Sequence, residues 1–295
     1  MPVIHKVIRK FFILFSIFLD MKKETKKLKE FKKICYDIKT IKIQGASNIA
    51  KTALKAYSLI PTKSSIKKLS SLRPTEPMLF HVLKLIEKIP KKKILEHFSS
   101  AQEKINKFVF KLIKNKDTIF THCHSTNVIK ALIYAKKHGK RFEIFNTETR
   151  PLYQGRKTAR ALARAGIRVT TVVDAAAAIA IEQTPILKKV DKVFFGSDAI
   201  LRDSNVINKT GSGMFAEIAF FHKIPVYIIA DSWKFSSRPV EIEERAHSEI
   251  WKKAPTHVKI KNPAFEIVKA KYIKAIISEL GILKPKEFVK KVMKK

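Results

Sequence analysis

The chain has 295 residues, with 61 Lys+Arg against 25 Asp+Glu, a formal net charge of +36, and 45% hydrophobic residues. That apolar fraction is ordinary for a packed protein and excludes a disordered one. The 8 Gly and 12 Pro exclude collagen-like or linker-rich architecture. Two cysteines, Cys35 and Cys123, make no disulfide framework and fit a reduced, cytoplasmic setting.

Length predicts two domains. Residues 1–20 hold an apolar run over 11–19 behind Lys6, Arg9 and Lys10. It is shorter than the roughly 20 residues of a membrane span and lacks a small-residue cleavage site. No membrane anchor is expected, and 1–20 reads as an apolar extension or an over-called start, with Met21 as the alternative beginning. From 21 to 115 apolar residues recur at three and four spacing, as in Ile49, Ala53, Ala56 and Ile60, or Leu79, Leu83 and Ile86. This predicts a helical N-terminal domain punctuated by Pro61, Pro74, Pro77 and Pro90. Residues 116–295 change rhythm. Short apolar runs at 118–121, 141–145, 168–173, 192–195 and 226–230 alternate with helical stretches near 126–138, 154–165, 175–183 and 212–222. The α/β pattern predicts a Rossmann-like domain whose parallel sheet is flanked by helices. Most of the basic excess lies outside 121–260, on Lys-rich stretches such as 22–27. With no finger spacing, aromatic RNA-binding run or basic heptads, nucleic acid is not an expected partner. The field would draw in small phosphorylated molecules.

Ligands of open parallel sheets bind beyond the carboxyl ends of the strands, and the polar residues gather there: 121–125, 147–151, Asp174, 196–198 and 231–235. Cys123, between a β-run and a helix, is a candidate thiolate, lowered by the helix end; an inert core Cys is the alternative. Asp198 is either a site acid or a helix cap. The stretch Asn208-Lys209-Thr210-Gly211-Ser212-Gly213 reads as an anion nest or a plain Gly turn. Gln44-Gly45-Ala46-Ser47 reads as a second nest, or as a helix start with Ser47 as its cap. Two anion sites around a Cys and an Asp suit a bisphosphorylated small molecule. His122 and His124 have the spacing of a metal pair, but alternation on an extended segment turns them to opposite faces; no metal is expected.

These residues resemble the ribose-1,5-bisphosphate isomerases of archaea. They share a superfamily with methylthioribose-1-phosphate isomerase and the alpha, beta and delta regulatory subunits of the initiation factor 2 exchange factor. The resemblance rests on Thr121-His122-Cys123-His124-Ser125, Thr147-Glu148-Thr149-Arg150-Pro151 with Gln154-Gly155, Gly196-Ser197-Asp198-Ala199, Val206-Ile207-Asn208-Lys209, Trp233-Lys234-Phe235, Val240-Glu241-Ile242-Glu243 and Asn262-Pro263-Ala264-Phe265. It implies a sugar phosphate isomerase with Cys123 as the C2 base and Asp198 as the acid at the ring oxygen. It further implies that Gln44, Gly45, Ala46, Ser47 and Arg73 hold one phosphate. Ser125, Thr126, Asn127, Asn208, Lys209 and Lys234 would hold the rest of the substrate, without a cofactor, in a homo-oligomer. Four positions depart from the family pattern. Gln44 and Ser47 stand in its Arg-Gly-Ala-Gly loop, His124 replaces an Asn, and Thr126 replaces a frequent Lys. The alternatives are a non-catalytic regulatory subunit and an isomerase of another sugar 1-phosphate.

Overall fold

The structure, a computed structural model, describes residues 22–182 and 188–294. The apolar run at 11–19 lies outside them. The described chain opens with helix α1 (22–39), then α2 (Ala46–Leu59), α3 (Lys63–Ser70), α4 (Pro77–Leu85) and α5 (Lys91–Leu112). Proline sets two of these starts: Pro77 opens α4 and Pro90 caps α5, positions where a missing N–H costs nothing. Ile49, Ala53 and Ala56 of α2 and Leu79 and Leu83 of α4 are buried in one cluster with Phe31 and Ile38, as their spacing predicts. Helix α5 serves two cores. Its Ile94 and Phe98 pack among the N-terminal helices, and its Ile105 and Val109 pack against the sheet.

The sheet strands are β1 (Thr118–Thr121), β2 (Glu143–Thr147), β3 (Arg168–Val172), β4 (Lys192–Phe195), β7 (Val226–Ile229), β10 (Ala275–Ser278) and β11 (Gly281–Leu283). They lie in the order β11-β10-β7-β4-β1-β2-β3, parallel except for the β10–β11 pair. Helices α6 (Thr126–Lys137), α7 (Gln154–Arg164), α8 (Ala177–Ile181), α9 (Ser212–Phe221) and α10 (Pro285–Met293) cover it. Neighbouring strand residues part to opposite faces. Phe120, Phe195, Ile228 and Ile276 enter one core, and Ile119, Phe194, Ile229 and Ile277 enter the other. A strand buried on both sides carries no polar alternation, which is why these read as plain apolar runs.

A second, four-stranded sheet was not anticipated. It comprises β5 (Ala199–Leu201), β6 (Val206–Lys209), β8 (Phe235–Ser236) and β9 (Phe265–Val268), in the order β8-β5-β6-β9. Strands of two to four residues are too short to print a period, so the sequence hides them. They decide the site, because the chain passes directly from β4 to β5 through Asp198 and leaves β6 at Lys209. Among the described residues, no helix is long and apolar enough to cross a membrane.

Candidate active site

At the carboxyl edge of the parallel strands, two cavities share Gly45, Cys123, His124 and Asp198 as walls. Gln44, Arg73 and Lys209 line the first; Ala46, Ser47, Ser125, Thr126, Asn127, Asn208 and Lys234 line the second. Every residue that the resemblance assigned to catalysis or substrate binding thus lines one of the two, whereas Asp174, Gly211 and Gly213 line neither. The first cavity also takes in Glu76, Gln154, Glu243 and Arg245, which sequence reasoning did not name as site residues. Gln154 and Glu243 stand in motifs that carry the resemblance, but nothing local marks any of the four as a cavity wall. Glu76 opens a helix and Glu243 sits in a charge-rich stretch that looks like ordinary surface.

Cys123 stands in the left-handed region, at φ 66°, which is uncommon for a side chain with a Cβ. Its backbone is fixed on both sides: its N–H donates to Thr149 Oγ1 at 3.0 Å, and its carbonyl accepts from Thr158 Oγ1 at 2.7 Å. Thr149 is held in turn, its N–H donating to Asp174 Oδ1 at 2.9 Å and that of Arg150 to Asp174 Oδ2 at 2.6 Å. Two glycines allow these loops to meet. A Cβ on Gly155 would lie 1.8 Å from the Thr147 carbonyl oxygen, and one on Gly196 2.5 Å from Ser125 Cβ.

The expected lowering of the Cys123 thiol is not what the structure shows. Burial, and then the negative charge of Asp198, push the thiol up to about 12, against the opposing pull of Lys209. The helix-end argument omitted both the depth of the residue and the acid opposite. Burial also raises Asp198, opposed by Lys234, Arg73 and Lys209, so its carboxyl keeps its proton to higher pH than a free Asp.

The histidines flanking Cys123 are neutral posts. His122 Nε2 donates to the Thr210 carbonyl at 3.0 Å, so its Nδ1 accepts from the Thr147 hydroxyl. Burial drives its pKa down to about 4. The Thr158 hydroxyl proton is spent on Cys123, so His124 Nδ1 donates to Thr158 Oγ1 at 3.1 Å. The two rings have separate partners and form no metal pair. Among the described residues, the one cluster with metal-ligand geometry is His97, Asp231 and Glu279. There His97 bonds Asp231 at 3.0 Å and stacks on Trp233, with ring centroids 3.5 Å apart, and Glu279 takes the Ser232 N–H. These contacts hold the turn that delivers Lys234.

One expected anion nest is filled from within, and at the other it is the expected cap that needs correction. The N–H groups of Gly211 and Gly213 donate to Glu266 Oε1 at 2.5 and 2.7 Å, so the chain supplies its own anion there. At the other, Gly45 rather than Ser47 is the cap of α2, with φ 85° and no side-chain cap bond. Ser47 lies in the first turn and lines the second cavity. Gln44, in place of an Arg, accepts from Lys157 Nζ at 2.9 Å, which brings a cation from α7 to this loop. Two amides are partly committed: Asn127 Nδ2 donates to Gln102 at 2.9 Å and Asn208 Nδ2 to Ser212 Oγ at 2.8 Å.

The cations are buried. Lys234 donates to the Ser197 carbonyl. Arg73 donates from Nε to Glu243 Oε2 at 3.2 Å and lies 3.6 Å from Glu76 Oε1. Lys209 is 5% exposed, and its ammonium has no hydrogen bond or ion pair among the described residues. A ligand anion in the cavity that Lys209 lines would meet there a cationic donor not already committed.

Residues 19–285 match the initiation factor 2 subunit family. The chain is 36% identical over 281 residues to ribose 1,5-bisphosphate isomerase of Methanocaldococcus jannaschii, covering 84% of this chain and 89% of that protein. It is 30% identical to methylthioribose-1-phosphate isomerase of Thermosipho melanesiensis, covering 90% of each. Among solved structures, translation initiation factor eIF-2B of Pyrococcus horikoshii superposes with a TM-score of 0.75 at 27% identity, covering 86% of this chain and 97% of that one.

Proposed function

The chain belongs to the initiation factor 2 subunit family, and on that premise we propose that this sugar phosphate isomerase converts ribose 1,5-bisphosphate to ribulose 1,5-bisphosphate. The observation that carries the reading is Lys209, a cation without a bonded partner among the described residues, lining one cavity with Arg73, Cys123 and Asp198. It is supported by Lys234 in the adjoining cavity and by the uncapped start of α2. A substrate with a phosphate at each end brings anions to both.

The chemistry follows from the blocked anomeric carbon. Cys123, as thiolate, takes the C2 proton. The C2–H electrons form the C1–C2 double bond, the C1–O4 bond breaks onto the ring oxygen, and Asp198 protonates that oxygen. The intermediate is an enol phosphate. Loss of the C2 hydroxyl proton and protonation at C1 give the ketone, with both phosphates retained. A raised Asp198 is suited to the acid role. Once Asp198 is neutral, its share in holding the thiol up disappears and Lys209 acts on Cys123 unopposed by it.

The test is turnover of ribose 1,5-bisphosphate by purified protein beside Cys123→Ser and Asp198→Asn. Each variant should lose about 10²–10⁴ in rate with its circular dichroism spectrum intact. A well-folded wild type without turnover of this substrate refutes the assignment, and methylthioribose 1-phosphate is then the next substrate to try. The same reading carries a homo-oligomer, for which Phe220 and Phe221, 52% and 75% exposed, are available surface; a monomer by light scattering refutes that part.

A further inference from the structure

Glu76 and Gln154 each bring to the wall of the first cavity a buried side-chain oxygen without a hydrogen-bond partner among the described residues, and of the two Glu76 is the one that can change charge. It is the residue before α4, yet its side chain makes no capping bond to that helix. It is 2% exposed. Oε1 lies 3.6 Å from Arg73, whose Nε already serves Glu243; Oε2 has no hydrogen-bond partner among the described residues. The groups facing it are Asp198 from the turn after β4, Arg73 from its own loop, Lys234 from the turn after β7, and Glu243 from the stretch after β8. Three carboxyls therefore meet two cations. Burial and the neighbouring Asp198 push Glu76 up to about 8, against Arg73 and Lys234. A phosphate dianion entering the same cavity adds negative charge and drives the carboxyl further toward its neutral form.

We propose that Glu76 determines ligand specificity at this site as a neutral acid, donating its carboxyl proton in a hydrogen bond to an oxygen of the bound phosphate ester. The proposal rests on the reading of the site as one for phosphorylated sugars. When Glu76 is ionised in the empty protein, binding takes up one proton from solvent and converts carboxylate to carboxyl. Affinity then falls as pH rises through the Glu76 midpoint, because more of the empty protein must be protonated before it can bind.

The test measures KM and kcat for ribose 1,5-bisphosphate from pH 7.5 to 9.5, where the phosphates stay dianionic, in wild type and Glu76→Gln. Wild-type KM should rise about tenfold per pH unit at the alkaline end. Glu76→Gln keeps a neutral donor of the same shape, and its KM should change less than twofold over the range. Glu76→Ala, which has no donor, should bind weakly at every pH. An unchanged KM slope in Glu76→Gln assigns the titration to another group and overturns the proposal. Calorimetry with inorganic phosphate at pH 8.5, in two buffers of different ionisation heat, gives the proton count directly. Uptake approaching one proton in wild type and near zero in Glu76→Gln supports the proposal even if the sugar bisphosphate is not turned over. No uptake by wild type overturns it, whatever the variants do.

Discussion

The Cys123 thiol gives the sharpest test of the site's electrostatics, because it needs no substrate. Its midpoint lies at about 12, against 9.0 for an unperturbed thiol. That difference lowers the thiolate population at neutral pH about a thousandfold, a cost of about 4 kcal/mol. In a Cys35→Ser background, Cys123 is the sole thiol, and the rate of its alkylation by iodoacetamide reports the thiolate. The logarithm of the rate should climb with unit slope from pH 7 to 10 without levelling. A merely crowded thiol behaves differently: the rate is low at every pH, but it still levels near 9. Asp198 is the largest charge holding the thiol up and Lys209 the largest holding it down. Asp198→Asn should therefore shift the curve to lower pH and Lys209→Met to higher pH. A plateau at or below pH 9.5, or an Asp198→Asn curve superimposed on the parent, refutes the reasoning.

Further outcomes follow from other contacts. His122 has a folded pKa of about 4, below its ordinary 6.5. The unfolded chain therefore binds the extra proton, and stability falls by about 1.4 kcal/mol per pH unit as pH drops from 6.5 to 4. Urea titrations at pH 4.5, 5.5 and 7 should show this fall, and a His122→Gln variant should lack this component. Gly155→Ala places a Cβ against the Thr147 carbonyl and should cost several kcal/mol; a melting temperature within a degree or two of wild type would contradict the close approach. Asp174→Ala frees the Thr149 and Arg150 N–H groups and should lower stability by about 1–3 kcal/mol, measured by denaturant unfolding.

The five anticipated strands and the helices between them were legible because buried parallel strands and amphipathic helices leave different rhythms. Their polar ends pointed to the sheet edge where the cavities lie. Three things were hidden. The small sheet has strands too short to show a period. Glu76 and Glu243 come together only through folding, with Arg73 between them. The ionisation of Cys123 depends on depth and on Asp198 across the cavity, and neither is a local property. The glycines at 211 and 213 gave the right chemistry, N–H groups that attract an anion, but the sequence did not say that Glu266 was that anion.

Glu266 has a mechanical consequence. The stretch between β8 and β9 carries Glu243 and Arg245 into the cavity wall, and it has little regular structure of its own. Internally it is cross-tied, with Ala264 N–H donating to the Glu243 carbonyl and Arg245 N–H to that of Asn262, each at 2.9 Å. Its far end is moored where β9 pairs with β6 and Glu266 clasps the start of α9. The stretch is therefore buckled through Glu266, which lines neither cavity, and a change at that carboxylate would be felt by the segment that brings Glu243 and Arg245 to the cavity wall.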